Sequence, residues 1–272
     1  MKGIILELIV RADYKNVRYL LKQDMVNIYK LGGTMSKNNT KSLEVSRYEL
    51  KYPISFIDYA RLSHLMRNML LEDKNNKEHG YPVRSVYFDS IENTDFYEKM
   101  DGLENRKKIR LRTYEYDSNI VKLELKRKFG NAQRKQSLIV TVEDAKELLR
   151  CNYEVLKNYE SDVADTLYNL MTINLVKPVV MIEYNRKAFI HPMNNIRITL
   201  DSDIRSSETD FRMFEKNVAL IPINYDYFAL LEVKYNGFIF KWISDILKGF
   251  ELNQESYSKY SSSRIMFEEY LG

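Results

Sequence analysis

The sequence predicts an α+β fold built on an antiparallel sheet, and three observations predict it. Charged and aliphatic residues alternate with a period of two in several segments. Turn signals join three of those segments directly, one after another. Segments with helical apolar spacing flank the strands instead of following each one.

The alternation is densest in Arg106-Lys107-Lys108-Ile109-Arg110-Leu111-Arg112 and in Lys122-Leu123-Glu124-Leu125-Lys126-Arg127-Lys128. In a strand, residues i and i+2 share a face. Arg106, Lys108, Arg110 and Arg112 therefore share one face, and Lys122, Glu124, Lys126 and Lys128 another, with Ile109, Leu111, Leu123 and Leu125 turned away. A Glu-x-Lys step recurs at Glu49-Leu50-Lys51, Glu124-Leu125-Lys126 and Glu232-Val233-Lys234. An antiparallel sheet with one wet face alternates in this way by default. A wet face, however, usually mixes Ser, Thr, Gln and both signs of charge. Here cations recur at almost every position, and like charges across strands destabilise a sheet unless water or a polyanion faces them. The pattern suggests carboxylates for a metal and cations for phosphate, in a groove or barrel interior.

Residues 1–41 read as an N-terminal extension, with a short helix around 17–28, a Gly32-Gly33 step before Met35 that would suit a later start, and a polar stretch over 37–42. The main domain is expected over 42–272. A strand at about 46–54 leads into a helix at about 55–71. Ser55 is its N-cap, and Ile57, Ala60, Leu62, Leu65, Met66 and Met69 are its apolar face. A strand over 83–89 and a short helix over 93–100 precede the Asp101-Gly102 turn. Three strands, at about 106–116, 119–129 and 133–140, are joined by turns at Asp117-Ser118-Asn119 and Gly130-Asn131, which predicts an antiparallel meander. A helical stretch spans about 142–171. Strands return near 178–190, 195–201 and 228–235, and helices near 239–249 and 256–270 close the chain.

The chain has 272 residues, enough for a sizeable core, and a formal charge of only +4 with 29% charged residues. Such a modest charge argues against a nucleic-acid coat, and the positive charge is concentrated in 106–135. Nine glycines and five prolines argue against a disordered chain. The single Cys151 excludes an intrachain disulfide and reads as a structural thiol at a helix end in a reducing compartment. No apolar run is long enough to span a membrane, and Glu7 breaks the run Ile4–Val10, so the expectation is a soluble cytoplasmic protein without a signal peptide.

No glycine-rich phosphate loop and no G-x-S-x-G elbow occurs. His64, His79 and His191 lack metal-ligand spacing and read as surface or loop residues. Carboxylates with many lysines and arginines remain. That inventory suits phosphoryl transfer, where catalysis is mainly positioning and charge stabilisation.

The ordered motifs match a known family. They are Arg47-Tyr48-Glu49-Leu50-Lys51-Tyr52, Val83-Arg84-Ser85-Val86-Tyr87-Phe88-Asp89, Tyr97-Glu98-Lys99 with Asp101-Gly102, and Arg106 to Tyr114. Leu123-Glu124-Leu125-Lys126, Glu183 to Phe189, Arg197 to Asp201, Leu231-Glu232-Val233-Lys234 and Ser258-Lys259-Tyr260-Ser261 follow. Over about 46–264 the chain resembles the VTC domain, the polyphosphate polymerase domain of the vacuolar transporter chaperone complex, in the triphosphate tunnel metalloenzyme superfamily. The resemblance implies a closed barrel of about eight antiparallel strands with flanking helices and a charged tunnel. It implies a phosphotransferase that passes the γ-phosphate of ATP to linear polyphosphate with Mn²⁺ or Mg²⁺. It further implies that Lys51, Arg110, Arg112, Lys126, Arg186 and Arg197 contact phosphates, that Glu232 binds the metal, and that Lys259, after Ser258, closes the phosphate site. A basic residue on the next strand is also implied. Arg134 and Lys135 both qualify, with Lys135 favoured. The membrane and regulatory modules of the eukaryotic complex have no counterpart here, which leaves any transporter partner open. Triphosphate hydrolysis and non-catalytic polyphosphate binding are the competing functions.

Overall fold

The structure is a computed structural model and describes residues 47–130 and 132–271. The expectations for the N-terminal extension lie outside the described residues. The chain from Val45 onward forms one compact unit.

Ten antiparallel strands make one sheet. They are β1 (Arg47–Ile54), β2 (Leu71–Glu72), β3 (Tyr81–Asp89), β4 (Arg106–Thr113), β5 (Val121–Phe129), β6 (Ala132–Val140), β7 (Lys177–His191), β8 (Ile196–Ser207), β9 (Ile221–Pro222) and β10 (Ala229–Asn236). The main path runs β1-β10-β8-β7-β3-β4-β5-β6, with β2 on β7 and β9 on β8. The helices are α1 (Phe56–Met69), α2 (Thr94–Met100), α3 (Val142–Leu149), α4 (Asp162–Ile173), α5 (Lys241–Lys248) and α6 (Lys259–Leu271).

The sheet curls strongly. β1 and β5 lie six positions apart on the path, which in a flat sheet would separate them by about 29 Å. Yet Lys126 Nζ of β5 lies 3.6 Å from Glu49 Oε2 of β1. The expected closed barrel is not formed, because among the described residues β1 and β6 do not pair. Two local causes keep them apart. The Lys51 carbonyl on the β1 edge accepts a hydrogen bond from the Glu255 N–H, in the strap over residues 251–258 that joins α5 to α6. β6 carries exposed Gln133, Arg134 and Lys135, and charged side chains on an edge oppose pairing.

Apolar parity divides the core into three parts. The outer face of β3–β6 packs Ile109, Leu111, Leu123 and Leu125 against α3 and α4. The outer face of β1, β10 and β8 packs Leu231, Val233 and Ile198 against Leu62 and Met66 of α1 and Ile243 of α5. Inside the curl, α6 enters with Tyr260 and Met266 against Val180, Ile182 and Tyr87. Tyr260 stacks on Tyr87 with centroids 5.2 Å apart, and its hydroxyl donates to the buried Asp89. Asp89 also accepts the Asp95 and Phe96 N–H groups at 2.9 and 3.0 Å, tying α2 to α6.

Local signals explain most boundaries. Ser55 Oγ accepts the Asp58 N–H at 3.1 Å and so caps α1. The apolar face of α1 is narrower than its sequence suggests, since Leu62 and Met66 are buried whereas Ile57 is exposed. Gly130 takes φ +53° in the β5–β6 hairpin, where Phe129 pairs with Ala132. β4 ends at Thr113, earlier than expected, and Thr113 Oγ1 donates to the Glu115 carbonyl.

The single helix expected over 142–171 is broken. α3 ends at Leu149, Cys151 has φ +64°, a 3₁₀ turn covers Tyr153–Asn158, and Ser161 caps α4. Cys151 is thus at a helix end but is exposed, not packed as a structural thiol. His191 is buried at the end of β7 against Phe240 and Trp242, contrary to a surface placement, and burial pushes its ring down.

Candidate functional site

Inward parity on six strands, with Lys259 from α6, produces a cavity of about 160 Å³ lined by nine lysines and arginines against three glutamates. The register aligns like charges across neighbouring strands. Arg106 faces Lys128, Lys108 faces Lys126, and Lys126 faces Lys135.

One wall is built around Glu124 of β5, which is 2% exposed. Arg110 Nε donates to Glu124 Oε2 at 2.7 Å, and Arg110 Nη1 to the Tyr87 hydroxyl at 2.9 Å. Arg112 donates to Ser85 Oγ at 3.1 Å and to the Tyr184 hydroxyl at 3.3 Å, with Nη1 3.8 Å from Glu124 Oε2. Lys135 closes on the other carboxylate oxygen. Burial alone would raise the Glu124 carboxyl, but Arg110, Arg112 and Lys135 outweigh it and hold the group down to about 2.

A second carboxylate, Asp201 of β8, is fully buried. It accepts both Arg186 Nε at 2.6 Å and Arg186 Nη2 at 2.7 Å, a fork that fixes the guanidinium plane. Lys259 Nζ lies 2.7 Å from Asp201 Oδ2 and 4.8 Å from the centroid of the Tyr184 ring. Burial pushes Asp201 up, but Arg186 and Lys259 bring it down to about 2.

The floor is made by β1 and β10. Lys51 Nζ is 3.1 Å from Glu49 Oε1 and 3.9 Å from Glu232 Oε1, and Lys234 Nζ donates to Glu232 Oε2 at 2.9 Å. The Glu49 and Glu232 carboxyls thus converge on the same ammonium. Burial would raise Glu232, yet Lys234, the contact with Glu49, Lys51 and Lys259 hold it well below the usual carboxylate range.

Two neighbouring carboxyls favour a shared cation, and Lys51 fills that role here. Hard divalent ions such as Mg²⁺ and Mn²⁺ are commonly held by one or two carboxylates, with substrate phosphates completing the shell. Glu49 and Glu232 fit that requirement. Among the described residues no cluster of three or more His, Cys, Asp or Glu could hold a metal, so a divalent ion at this pair would take its remaining oxygens from ligand or water.

Lys51, Arg110, Arg112, Lys126, Lys135, Arg186, Glu232 and Lys259 thus share one cavity. Lys135 lies opposite Lys126 on the lining face, whereas Arg134 lies opposite Arg127. Arg197 is on the same face, in register with Lys234, but is not brought into the cavity. Its Nη1 is 2.8 Å from Asp73 Oδ2, and its Nη2 donates to the Tyr81 hydroxyl at 3.2 Å. Ser258 stands at the start of α6 outside this lining, where its Oγ accepts from Lys108 Nζ at 2.8 Å. Sequence reasoning gave no site role to Asp201, Tyr87 or Tyr184, and raised Glu49, Glu124 and Lys234 only through the recurring Glu-x-Lys step. Strand parity with Lys51, Lys126 and Glu232 was the available signal for Glu49, Glu124 and Lys234.

Lys108 is the least compensated cation of the cavity. It forms no ion pair among the described residues, and its ammonium lies 5.0 Å from the centroid of the Tyr260 ring. Burial, then Lys51, Lys99, Lys126 and Arg106, lower it to about 7.

These features define an α+β protein whose curled antiparallel sheet encloses a strongly basic cavity with a paired-carboxyl floor. The chain belongs to the VTC domain family, whose model matches residues 46–267. Among curated proteins, none matches the sequence. Among solved structures, a candidate adenylate cyclase from Bacillus halodurans is 17% identical, with a TM-score of 0.48, covering 78% of this chain and 95% of its own. A candidate adenylyl cyclase from Hippeastrum, described as having a dominant triphosphatase activity, is 11% identical with a TM-score of 0.48, covering 80% and 94%. An inorganic triphosphatase is 12% identical with a TM-score of 0.29, covering 79% and 94%. Likenesses this remote say nothing of activity.

Proposed function

We propose that this protein is a metal-dependent polyphosphate polymerase that transfers the γ-phosphoryl group of ATP to a growing linear polyphosphate chain. The observation that carries the reading is the convergence of Glu49 and Glu232 on Lys51 Nζ, at 3.1 and 3.9 Å, inside a cavity otherwise dominated by cations. A simple anion binder gains little from two carboxyls there, whereas a divalent cation would use both as ligands.

In this reading Arg110, Arg112 and Arg186 orient phosphate oxygens, because Glu124 and Asp201 already fix their planes. Lys51, Lys126, Lys135 and Lys259 neutralise charge as point donors. Glu49 and Glu232 would hold Mn²⁺ or Mg²⁺, which would supply charge neutralisation for the triphosphate. A terminal oxygen of the acceptor chain forms the new bond to the γ-phosphorus. The bond from that phosphorus to the β–γ bridging oxygen breaks, and ADP leaves. Arg197, held by Asp73, and Ser258 do not touch phosphate in this reading.

Hydrolysis of the triphosphate is the second reading, favoured by the solvent exposure of the Lys126 and Lys135 side chains, 45% and 53%. Incubation with ATP and Mn²⁺, followed by sizing of the products, separates the two. A ladder of chains supports the polymerase; free phosphate alone supports the hydrolase; neither product sinks both.

A further inference from the structure

The meander β4–β6 carries a second row of cations on its outer face, turned away from the cavity. Lys107 stands opposite Arg127, and Arg127 opposite Arg134, with parity opposite to that of the lining residues Lys108, Lys126 and Lys135. Like charges directly opposed across strands destabilise a sheet unless something neutralises them. Asp95 does so for Lys107, whose Nζ lies 2.7 Å from Asp95 Oδ1. Arg127 and Arg134 make no ion pair among the described residues, and Arg134 is exposed.

The same face turns apolar at the hairpin tip. Phe129 follows Arg127 by two residues and so shares its face. Leu123 and Leu125, earlier on this face, are buried in the core, whereas Phe129 is 49% exposed. The turn before β4 runs beside the tip, since a Cβ on Gly130 would stand 3.8 Å from Glu104 Oε2. That turn exposes Leu103, also 49%, and the Leu103 carbonyl accepts from Arg106 Nη1 at 2.6 Å. Arg106 is opposite Lys128 in the β4–β5 register, and neither makes an ion pair among the described residues. Phe129 and Leu103 thus project at one end of the sheet among cations that the protein leaves uncompensated.

We infer that the β5–β6 hairpin tip is a docking surface for a membrane carrying anionic lipids, with Phe129 and Leu103 entering the headgroup region and Arg127 and Arg134 meeting lipid phosphates. Charge complementarity sets the sign of the partner, and the exposed apolar side chains select a bilayer over a dissolved polyanion. Apolar burial and attraction to anionic headgroups add at a membrane interface. A dissolved polyanion gains only from the cations and leaves Phe129 and Leu103 in water. The surface lies outside the cavity, so the inference is independent of the proposed function.

Vesicle flotation of the full chain tests the docking surface, with triphosphate present to occupy the cations of the cavity. The vesicles are phosphatidylcholine alone, or phosphatidylcholine mixed with phosphatidylglycerol. The wild type should float with the anionic vesicles and not with the neutral ones. An Arg127→Gln/Arg134→Gln double variant should bind the anionic vesicles about tenfold or more weakly, since each basic residue near such a surface contributes about fivefold. Phe129→Ser should weaken binding about fivefold or more through lost apolar burial. Both variants should keep their triphosphate affinity within about twofold, because none of these residues lines the cavity. Thermal melts check each fold; Arg134→Gln alone and Leu103→Ser serve if the first variants do not fold. No flotation of the wild type, equal flotation with neutral vesicles, or flotation that the variants leave unchanged would overturn the inference. Binding of soluble polyglutamate that falls in the arginine variant but not in Phe129→Ser would also overturn it, and would assign the surface to an acidic protein segment.

Discussion

Replacing Lys108 by Met should make the unliganded protein more stable and its phosphate binding weaker. The Met stem preserves the packing against Tyr260 and removes a cation that has Lys51, Lys99, Lys126 and Arg106 as neighbours. The gap between the ordinary 10.5 and about 7 corresponds to about 5 kcal/mol. Water entering beside Lys126 and Lys135 raises the effective dielectric, and the lost bond to Ser258 subtracts further, leaving about 2 kcal/mol. In a chain of this size that is a rise of about 4–8 °C in melting temperature. The sign with pH follows from linkage. The folded state releases its proton more readily than the unfolded state, so the wild type carries the full penalty below about pH 7 and loses it as pH rises towards 10.5. The gain from Lys108→Met should therefore be greatest below pH 7 and fade above pH 9. Melts across that range, paired with triphosphate titration, measure both effects. An unchanged or lowered melting temperature at every pH, or undiminished triphosphate affinity, would refute the reasoning.

Other cations should respond in the opposite way. Arg110→Ala leaves Glu124 with only Arg112 and Lys135, so it should lower stability by about 2–3 kcal/mol in urea unfolding; an unchanged midpoint would show that Arg112 and Lys135 together satisfy the carboxylate. Asp201 contributes stability that is present above about pH 4 and is lost as pH falls through about 2. Asp201→Asn should therefore cost about 3–5 kcal/mol at neutral pH and much less in acid, as acid-to-neutral melts would record. Asp95 behaves the other way. Burial raises it to about 6, against the pull of Lys107, so the native state binds its proton more tightly and stability falls as pH rises from about 4 to 6. Asp95→Asn should add about 1–3 kcal/mol at pH 7 and little at pH 4, and a loss of stability at pH 7 would count against an ionised, incompletely paired carboxylate.

The period-two pattern carried most of the architecture, because inward and outward parity on β4 and β5 is fixed by local sequence alone. What depended on register was not legible. The convergence of Glu49 and Glu232 on Lys51 requires knowing that Lys51 faces Glu232 and that Glu49 faces Lys234 across β1 and β10. Lys135 over Arg134 likewise follows from the pairing of Lys126 with Lys135. Arg197 fits the basic pattern as well as Arg186 does, but Asp73, from the loop after β2, captures its guanidinium. The break between α3 and α4 turns on Cys151 in the left-handed region, a backbone state that side-chain propensity does not encode. Closure of the sheet failed as an expectation because the strap occupies the Lys51 carbonyl, a tertiary event without a sequence signature.

The cavity's charges divide by how they are held, and that division bears on how a phosphate chain could be both gripped and advanced. Arg110 and Arg186 are locked by Glu124 and Asp201, deep groups held near about 2 that stay ionised throughout the physiological range. Their guanidinium planes are fixed before any ligand arrives, so they lose little side-chain entropy on binding. Lys126 and Lys135 are solvent-exposed at their side chains, and Lys108 has only the Ser258 hydroxyl and the face of Tyr260 as partners, so these ammonium groups can follow a moving anion. On the proposed function, a chain that advances by one phosphate at a time needs fixed donors at the reacting phosphorus and compliant ones along its path. A site made wholly of locked guanidinium groups would hold one register too tightly to release it. A site made wholly of lysines would leave the reacting group poorly oriented. Exchanging the two kinds tests the division: Arg186→Lys should lower turnover more than affinity, because charge survives while the fork on Asp201 is lost. Lys126→Arg should instead tighten binding and slow the release of long chains. Equal effects of the two exchanges on turnover and affinity would mean that the cavity senses net charge alone.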